Sequence, residues 1–131
     1  MKIRQATCSC TQLNAVTEGE PVRVSICHCR ECQRRTGNVF GVQARFPRER
    51  VKVAGRFNRH ARTGDSGERI LFHFCPHCGS TVYYWAENAP ETIGIPVGAF
   101  ADRDFPPPTF SVYEERMHPW VLLPEGIEHM D

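Results

Sequence analysis

Two short stretches, "CHCREC" (residues 27–32) and "FCPHCGS" (residues 74–80), decide how this chain is read. In the second, Cys75 and Cys78 bracket a proline-containing turn and Gly79 follows. That is the form of a zinc knuckle, in which the turn aims backbone N–H groups at the sulfurs and glycine takes the positive φ. A knuckle supplies two ligands, whereas a closed tetrahedral site needs four. Cys8 and Cys10, in "CSC", are the natural complement. In an extended strand residues i and i+2 share a face, so a Cys-x-Cys pair presents two thiolates together. The spacing therefore predicts a structural zinc site made by Cys8, Cys10, Cys75 and Cys78.

Cys27, Cys29 and Cys32 are left without a fourth cysteine. A zinc ion held by three protein ligands keeps a position for water or substrate, the usual mark of a catalytic site. Two alternatives stand beside this reading. His28, His60, His73 or His77 could close the site into an inert one, or one of the three cysteines could be a core residue. His28 is the weakest of these candidates, since it points away from Cys27 and Cys29 if the strand continues. Arg30, Arg34 and Arg35 set positive charge beside three thiolates and would suit a carboxylate-bearing substrate. For each arginine the plainer reading is a solvated basic turn.

Outward from these motifs, the chain has 131 residues. That length fits a single zinc-binding domain spanning residues 1–131, with enough surface to bury for a core of its own. Sixteen basic residues nearly cancel fifteen acidic ones. Near-neutrality argues against nucleic acid or an anionic membrane as partner. No apolar run approaches the ~20 residues of a membrane span, and "MKIRQATCSC" lacks a signal-peptide core. A cytoplasmic location is the expectation, and with it a metal-binding use for the seven cysteines: an odd, clustered set does not read as a disulfide framework.

Most of the remaining sequence alternates like half-buried strands. "PVRVSI" sets Val22, Val24 and Ile26 on one face, "VFGVQARF" does so with Phe40, Val42, Ala44 and Phe46, and "RVKV" follows. "FNRHA" and "ERILFHF" flank "RTGDSG", which reads as a hairpin turn. "STVYYWA", "TIGIPVG" and "TFSVYEE" supply three more strands, and "DFPPPTF" a stiff connector. Helix is scarce; the candidate is "RECQRRTG", with Gly37 as its stop. The expected fold is mainly β, built of antiparallel strands with cysteines at strand ends and turns. Phe40, Phe46, Tyr83, Tyr84 and Trp85 read as core, and the late "HPW" (His118 and Trp120) as a segment closing over it.

Taken in order, "CSC", "CHCREC" with "RRTG" behind it, "FCPHCGS", "IGIPVGAF" and "HPW" resemble the glutathione-dependent formaldehyde-activating enzyme family, from about Cys8 to Trp120. The resemblance implies a β-tent fold and two zinc ions per chain. It places the structural zinc on Cys8, Cys10, Cys75 and Cys78 and the catalytic one on Cys27, Cys29 and Cys32. One departure is visible: members often carry glycine directly after the second cysteine, where Thr11 stands here. The implied reaction is that of a carbon–sulfur lyase, joining glutathione to formaldehyde as S-hydroxymethylglutathione. Glutathione and an aldehyde are thus the implied small-molecule partners. Thiol activation suits the site better than carbonyl polarisation, because three thiolates already donate charge to the metal. His28, Glu31 and Glu87 are the candidate general bases. Competing readings are a thiol-binding carrier without turnover, a zinc-ribbon interaction module with purely structural metals, and direct cysteine nucleophilic catalysis.

Overall fold

The computed structural model describes residues 1–64 and 66–130. Its strands are β1 (Ile3–Thr7), β2 (Asn14–Glu18), β3 (Arg23–Cys27), β4 (Gly41–Pro47), β5 (Val51–Ala54), β6 (Asn58–Thr63), β7 (Arg69–Phe74), β8 (Thr81–Ala86), β9 (Ala89–Pro96), β10 (Phe110–Val112) and β11 (Glu128–Met130). A single α-helix of the described residues, α1 (Arg30–Thr36), follows β3. The fold is mainly β, as expected, and divides into two sheets. β1, β2 and β5 form a small one, and the large one runs β11-β10-β3-β4-β9-β8-β7-β6.

Alternation along the large sheet gives its two faces different tasks. Val24, Ala44, Phe46, Ile93 and Ile95 point one way and join Ala6 and Ala15 of the small sheet, and Leu13 just before β2, in the core. On the other face, the register places Arg23 opposite Arg45, Ser25 opposite Gln43, and Cys27 opposite Gly41. Arg45 in turn pairs with Gly94, Gly94 with Tyr84, and Tyr84 with Phe72. A row of polar and aromatic side chains thus runs across the face turned away from the core. Gly94 is required in that row: a Cβ there would lie 2.5 Å from the Tyr84 ring.

Several local expectations hold. α1 ends at Gly37, whose φ of 69° and N–H bond to Gln33 O form a left-handed cap. β6 and β7 pair antiparallel across "RTGDSG", although Asp65 of that turn lies outside the described residues. Phe46, Tyr83 and Tyr84 are buried.

Others are corrected. Val22 and Phe40 precede their strands, and Val22 is 65% exposed. β1, β2 and β11 form from stretches without a clear alternation signal, because their pairing partners complete them. β10 runs parallel to both β3 and β11, so the large sheet is mixed. The triple-proline connector has no ladder role and delivers Phe110 alongside Ser25. Trp120 does not close over the core; it is 67% exposed, while His118 Nε2 meets Gln33 Oε1 of α1 at 3.0 Å.

Candidate metal centres and the cavity beside them

The four-cysteine cluster is assembled by two turns facing each other across the sheets. In the β7–β8 turn, Cys75 Sγ accepts from His77 N and Cys78 N at 3.3 and 3.5 Å, and Gly79 sits at φ +84°. This is the knuckle geometry that "FCPHCGS" predicts. The β1–β2 turn carries Cys8 and Cys10, and here the expected route differs. The pair is not on a strand; Cys8 and Cys10 sit in a turn in which Thr11 adopts φ +71°. Leu13 N donates to Cys8 Sγ at 3.3 Å, and Thr11 N donates to Cys8 O. Thr11 therefore occupies a conformation that glycine takes without cost.

The resulting sulfurs match a metal ion in size. Cys8–Cys10 and Cys10–Cys75 Sγ separations are both 3.6 Å. Four sulfurs at ~2.3 Å from a tetrahedral zinc stand ~3.8 Å apart, whereas a disulfide closes to ~2.05 Å. All four ligand atoms lie within 4.8 Å of one another. At Cys78 the surrounding donors favour the thiolate: Ser80 N–H first, with Cys10 N–H and the Ser80 hydroxyl, holds it down at about 5. Gln12 Nε2 donates to Cys75 Sγ at 3.0 Å and to Arg56 O, which ties the cluster to the segment between β5 and β6.

Cys27, Cys29 and Cys32 also lie within 4.8 Å of one another, and no histidine, aspartate or glutamate among the described residues joins them. Cys27 ends β3, Cys29 is the N-cap of α1, and Cys32 is the buried residue of its first turn. Cys32 N donates to Cys29 Sγ at 3.3 Å, a sulfur in the place of a capping oxygen. The neighbouring thiols of Cys27 and Cys32, with that N–H bond and the Arg62 charge behind them, lower the Cys29 pKa, while Cys27 is raised.

The candidate histidine ligands fall elsewhere. His28 is fully buried with Nε2 at 3.0 Å from Ser111 Oγ, facing away from the triplet as strand alternation requires. His73 is stacked between Tyr83 and Trp85. His60 and His77 join neither cluster. Of the candidate bases, Glu31 lines the cavity but is held by Arg34 at 2.6 Å and Arg62 at 3.9 Å. Glu87 pairs with Arg69, away from the triplet.

Beside the triplet opens a cavity of about 510 Å³. Its floor is the polar face of β3 and β4, where Arg45 Nη1 and Gln43 Nε2 both donate to Ser25 Oγ at 3.2 Å. Its wall is Phe72 and Tyr84, with the Arg35 guanidinium 5.1 and 5.4 Å from the two rings and Arg62 at 5.0 Å from Phe72. Burial pushes the Tyr84 phenol up to about 12 against the pull of Arg35 and Arg45, so it stays a proton donor. Of the three arginines singled out in sequence, Arg34 is solvated and Arg35 is the one turned inward. Tyr84, read as core, and Arg23, Gln43, Arg45 and Arg62 went unrecognised. A signal existed for three of them: counting back in twos from Cys27 gives Ser25 and Arg23, and the same phase on β4 gives Gln43 and Arg45.

A crystal structure of a protein from Rhodobacter sphaeroides is similar with a TM-score of 0.57 at 20% identity, covering 72% of this chain and 85% of that one. At this identity the likeness shows the fold. A search of the curated proteins finds no significant match. The family model described as glutathione-dependent formaldehyde-activating enzyme matches residues 3–116, a span holding all seven cysteines. The chain belongs to the glutathione-dependent formaldehyde-activating enzyme family.

Proposed function

We propose that the protein is a zinc-dependent carbon–sulfur lyase, joining glutathione or a similar thiol to formaldehyde or a related aldehyde as an S-hydroxymethyl adduct. Cys8, Cys10, Cys75 and Cys78 hold a structural zinc, Cys27, Cys29 and Cys32 a catalytic one, and residues 1–131 act as one unit in the cytoplasm. The observation that carries this reading is the contrast between a complete four-sulfur set and a three-sulfur set beside a cavity. Zinc at the triplet supplies a positive charge that favours the thiolate form of an incoming thiol at neutral pH.

The chain's own residues do the rest. Arginines lining the cavity receive the carboxylates of the thiol. Phe72 and Tyr84 shield one wall from water. In the addition a C–S bond forms as the C=O double bond becomes a single bond, and the thiol proton ends on the former carbonyl oxygen. Tyr84, held in its neutral form, can hydrogen-bond that oxygen as charge builds on it.

Thiols add to formaldehyde unaided, so the test is a rate. Two-dimensional exchange NMR of glutathione and formaldehyde is run with zinc-loaded protein and with Cys32→Ser. Exchange well above the protein-free background, lost in a folded Cys32→Ser protein, is the expected result. A background rate from protein carrying two zinc ions would sink the lyase and leave a thiol-binding carrier.

A further inference from the structure

The cavity beside the triplet is more cationic than the proposed reaction needs. Seven arginines line it, at positions 23, 30, 34, 35, 45, 62 and 116, against Glu31 and Glu68. Three thiolates with one divalent cation carry a single negative charge, and a bound glutathione thiolate with its two carboxylates and one ammonium adds two more. About two positive charges remain without a counterpart, and the other proposed substrate, formaldehyde, is neutral.

These arginines sort by place. Arg23 and Arg45 face each other at the far end of the floor, four residues along β3 from Cys27, or about 13 Å at ~3.3 Å per residue. Between them and the triplet lies Gln43, 5% exposed, whose Oε1 has no hydrogen-bond partner among the described residues. An acceptor beside two cations fits the ammonium and carboxylate of a thiol reaching back from the triplet.

Arg35 and Arg62 are at the near end. A Cβ built on Gly41 would lie 3.4 Å from Arg35 Nη2 and 3.5 Å from Cys32 Cβ, so this guanidinium and the Cys32 side chain border the same spot. Arg35 and Arg62 both pack on Phe72. The Nε of each is buried without a partner among the described residues. Arg62 makes a long ion pair with Glu31 Oε2 at 3.9 Å, and each guanidinium keeps further donors that an anion can meet. An anion meeting them lies on the side of the cavity that borders the triplet, where the reacting carbon would be held.

We propose that the carbonyl partner is an aldehyde bearing a carboxylate directly on its carbonyl carbon, a 2-oxoacid, whose carboxylate Arg35 and Arg62 hold beside the cysteine triplet. This rests on the thiol–aldehyde reading of the site. The reaction keeps the same balance: the thiol S–H adds across C=O, one C–S bond forms, the proton ends on oxygen, and the carboxylate is unchanged.

The probes are glyoxylate and its neutral counterpart glycolaldehyde, titrated into the zinc-loaded protein by ligand-observed NMR with and without glutathione. Arg62→Gln and Arg35→Gln are compared after thermal unfolding has shown that each is folded. Glyoxylate is expected to bind at least about tenfold tighter than glycolaldehyde, and either substitution to cost about tenfold, the scale of one charge-assisted contact. Equal binding of the two aldehydes, or glyoxylate binding unmoved in both folded variants, overturns the inference. Formaldehyde–glutathione exchange in the same samples separates the two readings. Fast exchange without glyoxylate preference removes only the carboxylate subsite. Tight, arginine-dependent glyoxylate binding without adduct formation from either aldehyde keeps the subsite and removes the lyase.

Discussion

The four-cysteine and three-cysteine clusters present the same ligand atom in opposite surroundings. Cys8 and Cys75 belong to the core that the two sheets share, and the turns bearing them are joined again by Ser9–Ser80 and Gln12 contacts. Cys27, Cys29 and Cys32 sit on the outward face of the large sheet, within one strand end and one helical turn, and open onto a cavity. The first cluster joins two turns distant in sequence, with Cys10 and Cys75 Sγ 3.6 Å apart, while the second comes from one short run of chain. Their difference teaches that the face of the sheet on which thiols emerge decides whether they meet the core or an open cavity.

The largest effect expected from this comparison is on folding. Cys75→Ser should abolish cooperative unfolding altogether, because a structural zinc is worth ~10–16 kcal/mol against a domain stability of ~5–15 kcal/mol. Cys32→Ser should leave a cooperative transition and remove one equivalent of zinc. Calorimetry with metal analysis reads both, and a folded Cys75→Ser protein with full zinc content would erase the distinction. Stepwise chelation sharpens it: the first zinc should leave with the circular dichroism unchanged, and loss of the second should coincide with unfolding. Simultaneous loss would make both sites structural.

Smaller effects separate the two faces. Gly94→Ala drives a methyl into the Tyr84 ring, at an expected cost of ~1–3 kcal/mol. The displaced ring lines the cavity, so the exchange rate should fall as well; chemical denaturation and NMR exchange read the two effects.

On the other side of β7 and β8, His73 is buried between Tyr83 and Trp85, with both ring nitrogens unpartnered among the described residues. Burial, with Arg59 adding, lowers its pKa from 6.5 to about 4. The unfolded chain takes up the proton first, so stability is full above about pH 6.5, declines as the pH falls towards 4, and is flat below. The contribution is about 3 kcal/mol, read as the difference between wild type and His73→Phe in denaturant midpoints across that window. Parallel pH profiles would refute the assignment. Smallest of all, Thr11→Gly relieves the left-handed backbone beside Cys10 and should stabilise the protein by ~1 kcal/mol, seen as a raised melting temperature with zinc content unchanged.

Much of the site was legible because its signals are local. The gaps in "CHCREC" and "FCPHCGS" depend only on how far a chain turns in two or three residues, and Gly37 and Gly79 take the left-handed conformations those turns need. Strand alternation was legible for β4, β7, β8 and β9, where one face meets the core. β1 and β2 were missed because Ala6 and Ala15 are small and their neighbours mixed, so the pairing supplies what the pattern lacks. Tyr84 was read as core because burial and function look alike in an aromatic residue; only its place above Gly94 and beside Arg35 separates them.

By itself, the sequence determined the two thiol sets, the family and the mainly β class, since each follows from short-range spacing and period. Tertiary structure decided what surrounds each set, the shared core for one and a cavity for the other. It also gathered seven arginines from β3, α1, β4, β6 and the segment after β10 around one cavity. Charges that far apart along the chain carry no mutual signal, and their net effect exists only once the sheet brings them to one face.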